Sequence, residues 1–341
     1  MEQRILGKTG LRVGVIGFGG LVAAGLPQSE VDELVGRSLD AGVNYFDTAH
    51  SYGDSQGKLG VSLEGRRDRV VLGAKLIFRD AETAAQEVDD SLARLRTDCI
   101  DIYHLHAVDT PEEWERVSAE DGALAALERA REAGKVRFVG ITGHMPSVQA
   151  VALRSGRLDT VMTTTNYIDR YVYGTESGLH PFARQMGAGV FVLKPTAHGE
   201  IADRELAYRY VLSEDVDCVL PPREREEFLL ALELAERFRP LSAEERGELL
   251  VGAPELQGRC RQCGFCLPCP EGLDVPLLLR LAGWFERFAQ TREIARSTYS
   301  RLAVSADQCT ECRLCEERCP FGIPIVEHLE VTHRVLAEAS S

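Results

Sequence analysis

Between residues 13 and 222 the chain alternates short β-branched runs with longer polar stretches that carry apolar residues at helical spacing. The runs are VGVIGFG (13–19), VNYFDTA (43–49), VVLGAKL (70–76), CIDIYHLH (99–106), VRFVGIT (136–142), TVMTTTN (160–166), GVFVLKP (189–195) and VDCVLPP (216–222). Between them lie stretches such as SEVDELVGRSLDAG, with Ser29 as an N-cap and Gly42 as a stop, and ETAAQEVDDSLARLR. A buried strand followed by an amphipathic helix, eight times over, predicts an α/β fold, a closed (β/α)8 TIM barrel. An open doubly wound sheet lacks its signature here, because Val22 stands where GFGG would need a third glycine. Past residue 240 the period breaks. The segment PLSAEERGELLVGAPELQG reads as a helical piece and then a loop, and VPLLLRLAGWFERFAQTREIARSTYSRL has helical spacing. The expected organisation is a barrel over 1–240, a linker over 241–258 and a mainly α-helical domain over 259–341.

In such a barrel the C-terminal strand ends converge on one mouth. The second run ends YFDTAHSYG, placing Asp47 on the strand and Tyr52 just beyond it; Lys75 lies near the end of the third and His106 at the rim of the fourth. Taken singly, each has a bland reading as a turn residue, a core histidine or a salt-bridge partner. Four polar groups at one depth of three successive strands would cost stability unless they met a ligand. Together they suit proton delivery. A free tyrosine, with a pKa of about 10, holds its proton too tightly to act near neutrality, so the Lys75 ammonium is expected to stabilise its phenolate. Asp47 would keep that ammonium charged and in place. His106 could orient a substrate oxygen. No side chain supplies a hydride, so a nicotinamide cofactor is implied.

With these residues placed, the chain resembles the aldo-keto reductases: LGKTGLRVGVIGFGG, FDTAHSYGDSQGKLG, LGAKL and DIYHLH carry the likeness over residues 1–240. The resemblance implies a catalytic tetrad of Asp47, Tyr52, Lys75 and His106, with Tyr52 as general acid in reversible hydride transfer between NADPH (or NADH) and a small-molecule carbonyl or alcohol substrate. It also implies cofactor contacts at Gly19, Thr142, Gly143, Asn166, Leu193 and Lys194, and at Arg223 and Arg225, which open a helix where a 2'-phosphate could sit. The chain departs from the family here. GITGH replaces the usual Ser-Asn after the fifth strand, LKPT lacks the aromatic that often stacks on the ring, and Pro222 stands where a glycine is usual.

Ten cysteines change the picture further, because eight of them fall in two runs near the C-terminus. The spacing is C-x2-C-x2-C-x2-C-P at Cys260, Cys263, Cys266 and Cys269, then C-x2-C-x2-C-x3-C-P at Cys309, Cys312, Cys315 and Cys319. Such quartets bind iron-sulfur cubes, the cysteine before proline serving the partner cluster, whereas zinc favours separated C-x2-C pairs. Two [4Fe-4S] clusters are expected, one on Cys260, Cys263, Cys266 and Cys319, the other on Cys309, Cys312, Cys315 and Cys269. The remaining pair, Cys99 and Cys218, falls in apolar strands and reads as buried structural thiols. An aldo-keto reductase barrel with a ferredoxin-like tail is itself a branch of the family, and GITGH and LKPT resemble it. The clusters then either fix the tail as a structural lid or exchange electrons with an external electron-transfer protein.

A formal charge of −14 argues against a nucleic-acid partner. The start MEQRILGKTG has no apolar signal core, and no run is long enough to span a membrane, which makes the cytoplasm the default compartment. Two rival functions stay open at this point: an electron-transfer or redox-sensing protein whose barrel binds nucleotide without turnover, and a dehydratase or epimerase using transient oxidation. Substrate identity and oligomeric state are not written in the sequence.

Overall fold

The computed structural model describes residues 1–221, 224–251, 258, 260–287 and 292–337. The chain divides into two compact units, Met1–Ala253 and Pro254–Ser341.

The first unit opens with an antiparallel hairpin, β1 (Gln3–Ile5) and β2 (Arg12–Gly14). Eight parallel strands follow: β3 (Phe18–Gly19), β4 (Tyr45–Asp47), β5 (Val71–Leu76), β6 (Ile100–Leu105), β7 (Val136–Thr142), β8 (Thr160–Thr164), β9 (Gly189–Leu193) and β10 (Cys218–Leu220). The order is sequential, and the sheet closes on itself. Ile16, just before β3, bridges Val219 of β10, with Gly17 N–H donating to Val219 O at 3.0 Å and Val219 N–H to Val15 O at 2.8 Å. All eight expected strands are present. The first was drawn too long, since Val13 and Gly14 pair with the N-terminal hairpin and only the following residues join the barrel.

The strands read as unbroken apolar runs because both faces are covered; every residue of β5 and β6 is buried. Tyr45, Val71, Ile102, Met162, Phe191 and Cys218 share one core with Leu6 and Val13 of the hairpin segment. Gly189, the first residue of β9, leaves the room that Leu6 fills: a Cβ there would come within 2.5 Å of the Leu6 side chain. The hairpin therefore floors the barrel at the end opposite the candidate site. Cys218 is fully buried as expected, whereas Cys99, one residue ahead of β6, is only half-buried.

The connecting helices follow local rules. Asp80 caps the helix Ala81–Leu95 by accepting from Thr83 N–H at 2.8 Å, and Thr110 and Glu113 form a capping box at Pro111–Ser118. On Gln28–Asp40 the expected cap is displaced. Ser29 lies inside the helix, which starts after Pro27 without a side-chain cap, while Gly42 ends it at φ +88°. The helix Ala243–Val251, within the expected linker, is tied to the barrel by Arg209–Glu245 at 3.0 Å and by an Arg246–Glu214 ion pair.

The second unit is helical, with Val275–Arg287, Arg292–Tyr299 and Ile325–Ala337 meeting around Leu278, Leu281, Ala295, Leu329 and Leu336. Tyr299 is its polar pin: its hydroxyl accepts from Ala306 N–H at 3.0 Å and bonds His333 Nδ1 at 2.7 Å. No helix among the described residues is long and apolar enough to cross a membrane.

Emptying the floor should loosen the barrel without touching its mouth. Leu6→Ala is expected to cost about 2–5 kcal/mol, read as a lower midpoint for the barrel transition in denaturant; an unchanged midpoint would detach the hairpin from the core.

Candidate functional site

β4 delivers Asp47 and β5 delivers Lys75 to the same end of the barrel, and the two side chains form a buried ion pair. Lys75 is 1% exposed and Asp47 3%. Around them the polar atoms are matched. Lys75 Nζ also donates to Thr48 O at 3.1 Å, and Tyr45 donates its hydroxyl to Asp47 Oδ1 at 3.4 Å. Tyr52 stands in the turn before the helix Ser55–Ser62, with Lys75 Nζ 4.8 Å from its ring centroid. The His106 ring meets it edge-on at 5.9 Å. All four residues singled out in the sequence thus lie together.

Their charge states follow from burial and from one another. Burial opposes the charge on Lys75, but Asp47 and Tyr52 together more than offset it, so the ammonium holds its proton more firmly than an ordinary lysine. Burial pushes the Asp47 carboxyl up, and Lys75 opposes it. Burial also drives His106 well below its ordinary value, reinforced by Lys75 and His144, so its imidazole is neutral. Tyr52 departs from the expected direction. Burial raises its pKa and outweighs the lowering by Lys75, with Asp47 adding to the rise. The lysine therefore limits an upward shift and does not by itself make the free phenol acidic.

Two features that the sequence reading passed over brace this mouth. Arg79 donates to His106 O at 2.8 Å, to Ala107 O at 2.9 Å and to Glu113 Oε1 at 3.1 Å, clamping the chain where Ala107 takes a left-handed φ of +53°. His144, the last residue of the quoted GITGH, bonds Asp109 through Nδ1 at 2.8 Å. Neither follows from periodicity, because both pair residues on different loops.

The expected cofactor residues are placed unevenly. Gly19 and Gly20 are pressed against neighbouring backbone: added Cβ atoms would come 2.9 Å from Pro221 O and 2.2 Å from Asp47 O. Thr142 Oγ1 accepts from Ala107 N–H at 2.9 Å, and a Cβ on Gly143 would sit 2.7 Å from Val108 O. Asn166 is fully buried with both polar atoms engaged: Oδ1 accepts from Ile168 and Asp169 N–H, and Nδ2 donates to Asp169 Oδ2 at 2.8 Å. Leu193 ends β9 half-buried, and Lys194 follows it at φ +58°. Arg225 opens the helix Arg225–Glu236 but is claimed by Glu30 and Glu33, each at 3.1 Å. Arg223 lies outside the described residues. Buried polar atoms without a partner remain at the mouth: His106 Nδ1 and the Thr164 hydroxyl at the end of β8. These are atoms of the kind a bound ligand satisfies.

In the second unit the cysteines line two cavities. Cys260, Cys263, Cys266 and Cys319 face one, and Cys309, Cys312, Cys315 and Cys269 the other. Among the described residues no three cysteine, histidine or carboxylate side chains close on a single metal ion. A lone zinc would need four sulfurs at about 2.3 Å from one point. Spread quartets around a cavity suit a cube.

Behind the mouth, Glu87 has a fully buried side chain, accepts from Ile77 N–H at 3.3 Å, and faces the half-buried His50 at 4.0 Å. Burial lifts its carboxyl to about 7. A folded-state value above the ordinary 4.5 favours the protonated form, so this group's contribution to stability is lost as pH rises from about 4.5 to about 7. Glu87→Gln should remove that loss. Its unfolding free energy, from denaturant titrations, is expected to gain on wild type between pH 5 and pH 8 by on the order of 2–3 kcal/mol; parallel curves would mean the carboxyl does not titrate there.

Comparison with known proteins adds to this geometry. Residues 11–248 match the Aldo/keto reductase family, and residues 257–323 match the 4Fe-4S dicluster domain. The chain is similar to L-galactose dehydrogenase of Arabidopsis thaliana, 29% identical over 222 residues that cover 60% of this chain and 68% of the relative. It is also similar to 6-dehydroglucose reductase of Novosphingobium aromaticivorans, 29% identical over 240 residues covering 63% of this chain and 76% of the relative. Among solved structures, an aldo-keto reductase from Bacillus halodurans in its holo form superposes with a TM-score of 0.65 at 25% identity, covering 74% of this chain and 97% of that one.

Proposed function

The chain belongs to the aldo/keto reductase family, and on that premise we propose that it reduces a sugar-derived aldehyde or ketone, or oxidises the matching alcohol, with Tyr52 as general acid and base. The observation that carries this is the buried Asp47–Lys75 ion pair set beneath the Tyr52 ring. A nicotinamide cofactor, when bound, supplies the hydride. The protein moves the proton. A phenol whose pKa is raised stays protonated at neutrality and gives up its proton only to a strong base, such as the alkoxide forming on the substrate carbon. Lys75, kept charged by Asp47, then stabilises the phenolate that remains. Neutral His106 can donate a hydrogen bond to the same oxygen without competing for the proton. The sugar class rests on the names of the two similar enzymes, which are a galactose dehydrogenase and a dehydroglucose reductase.

The second unit, in this reading, carries two [4Fe-4S] clusters with crossed ligation, Cys319 completing the first quartet and Cys269 the second, as the cavity linings support.

Tyr52→Phe is expected to lower kcat/KM for NAD(P)H-dependent reduction of a panel of aldoses and keto sugars by about 10²–10⁴-fold; equal rates in both proteins would remove the proposed acid. The cofactor end supports NADH over NADPH. A 2'-phosphate at Arg225 would meet a guanidinium already shared by Glu30 and Glu33. By calorimetry NAD+ is expected to bind about 10-fold or more tightly than NADP+, and Glu30→Gln with Glu33→Gln to narrow the gap; tighter binding of NADP+ to wild type would refute this.

A further inference from the structure

A catalytic imidazole is commonly aimed by a hydrogen bond to the nitrogen that does not face the substrate. The His106 ring meets Tyr52 edge-on at 5.9 Å, yet its buried Nδ1 has no partner among the described residues. That nitrogen does not anchor the ring. Resting on the reading that His106 hydrogen-bonds the substrate oxygen, we propose that Arg79 is a positioning residue for the reaction, aiming the His106 imidazole by fixing the main chain that carries it.

The chain from His106 to Val108 is bonded on both sides. His106 N–H donates to Leu76 O at 2.9 Å, and the His106 carbonyl accepts from Arg79 Nη1 at 2.8 Å. Arg79 Nη2 donates to Ala107 O at 2.9 Å. From the opposite side Thr142 accepts twice, at Oγ1 from Ala107 N–H and at its carbonyl from Val108 N–H, both at 2.9 Å. Ala107 takes a left-handed φ of +53°, which an alanine keeps only where its surroundings over-determine it. Both carbonyls of that turn are met by one guanidinium.

Arg79 is itself rooted. Its carbonyl accepts from Ala123 N–H at 3.0 Å, and the next residue, Asp80, bridges Gly122, so the side chain extends from a segment tied to the start of the helix Ala123–Glu132. Glu113 completes the clamp. Its Oε1 takes Arg79 Nη2 at 3.1 Å while its Oε2 takes Asp109 N–H at 2.7 Å, which ties the guanidinium to the loop it holds. A planar fork with donors on separate nitrogens reaches two carbonyls and a carboxylate together; a lysine ammonium on a flexible stem does not reproduce that spread. Lys75 and Arg79 also share one short run, KLIFR. The segment that carries the cation beneath Tyr52 therefore also sets the ring that faces it.

The test is a double-mutant cycle on kcat and KM for NAD(P)H-dependent reduction of the sugar panel, using Arg79→Met, His106→Ala and the two combined. Arg79→Met is expected to lower kcat by about 10-fold or more when His106 is present, and by less than about twofold when it is already alanine. Arg79→Lys, which keeps the charge and loses the fork, should fall between. A barrel that is merely loosened would lose the same factor in both backgrounds. That result, or an unchanged kcat in Arg79→Met, overturns the inference. If Arg79→Met does not fold, Arg79→Lys and Glu113→Gln carry the same cycle. His106→Ala with the kcat of wild type would end the role of His106 and the inference with it, whereas a large loss in His106→Ala with additive effects would end the inference alone.

Discussion

The barrel's chemistry hangs on one buried ion pair. Removing Lys75 and Asp47 from water is costly, and their mutual attraction repays it only where the geometry is good and the leftover hydrogen-bonding positions are filled. Here Thr48 O takes a further ammonium proton and the Tyr45 hydroxyl approaches the other carboxylate oxygen. That arrangement needs β4 and β5 side by side in fixed register, with Asp47 opposite Gly73 and Lys75 opposite His104. It also needs a closed sheet, because an open edge would admit water to the pair. The seam between the segment at Ile16 and β10, and the floor at Leu6, thus serve the site from a distance.

The pair also divides labour among the titratable groups around it. Burial, reinforced by the Lys75 charge, keeps His106 neutral, and the same burial outweighs Lys75 to leave Tyr52 protonated. His104, one strand position deeper than His106 in the alternation, shows what the same burial does to a core histidine. Its pKa falls to about 3, and it bonds Thr160 Oγ1 at 3.0 Å in a space that Gly140 leaves open. Two imidazoles from one strand thus differ in role through exposure and partners. Environments that separate the ionisation of neighbouring groups are how one site holds both an acid and a polariser of oxygen.

The eight strands and the four mouth residues were legible in the sequence because each is a local signal: a β-branched run, or a polar residue at its end. The grouping of the cysteines was legible for the same reason, spacing alone sorting the sulfurs that line each cavity. What was hidden depends on residues far apart in the chain. Arg225 looked free as a helix-start cation until barrel closure brought Glu30 and Glu33, some two hundred residues earlier, against it. Asn166 looked like a ligand contact until its loop folded into an Asx turn that uses both ends of the amide. The direction of the Tyr52 shift was missed because a sequence shows a nearby lysine but not the depth at which both groups lie. Val13 and Gly14 were read as barrel strand because a hairpin with a six-residue loop has the same alternation as a strand continuing.

The helical unit raises a separate question of why a hydride-transfer enzyme carries cysteine quartets. A unit running from Pro254 to Ser341 has a small core, and chains of that size lean on staples. Six of the eight cysteines in the two runs pack against its apolar cluster beside Leu278, Leu329 and Leu336, so a 4Fe-4S group held by them would contribute to folding whatever else it did. A staple, however, constrains only sulfur positions. It places no demand on the groups between the sulfurs, and those are where the two runs differ, Gln262 donating to Cys260 Sγ in the first where Glu311 stands in the second. A structural demand is therefore read in the cysteines, and any further demand in their neighbours.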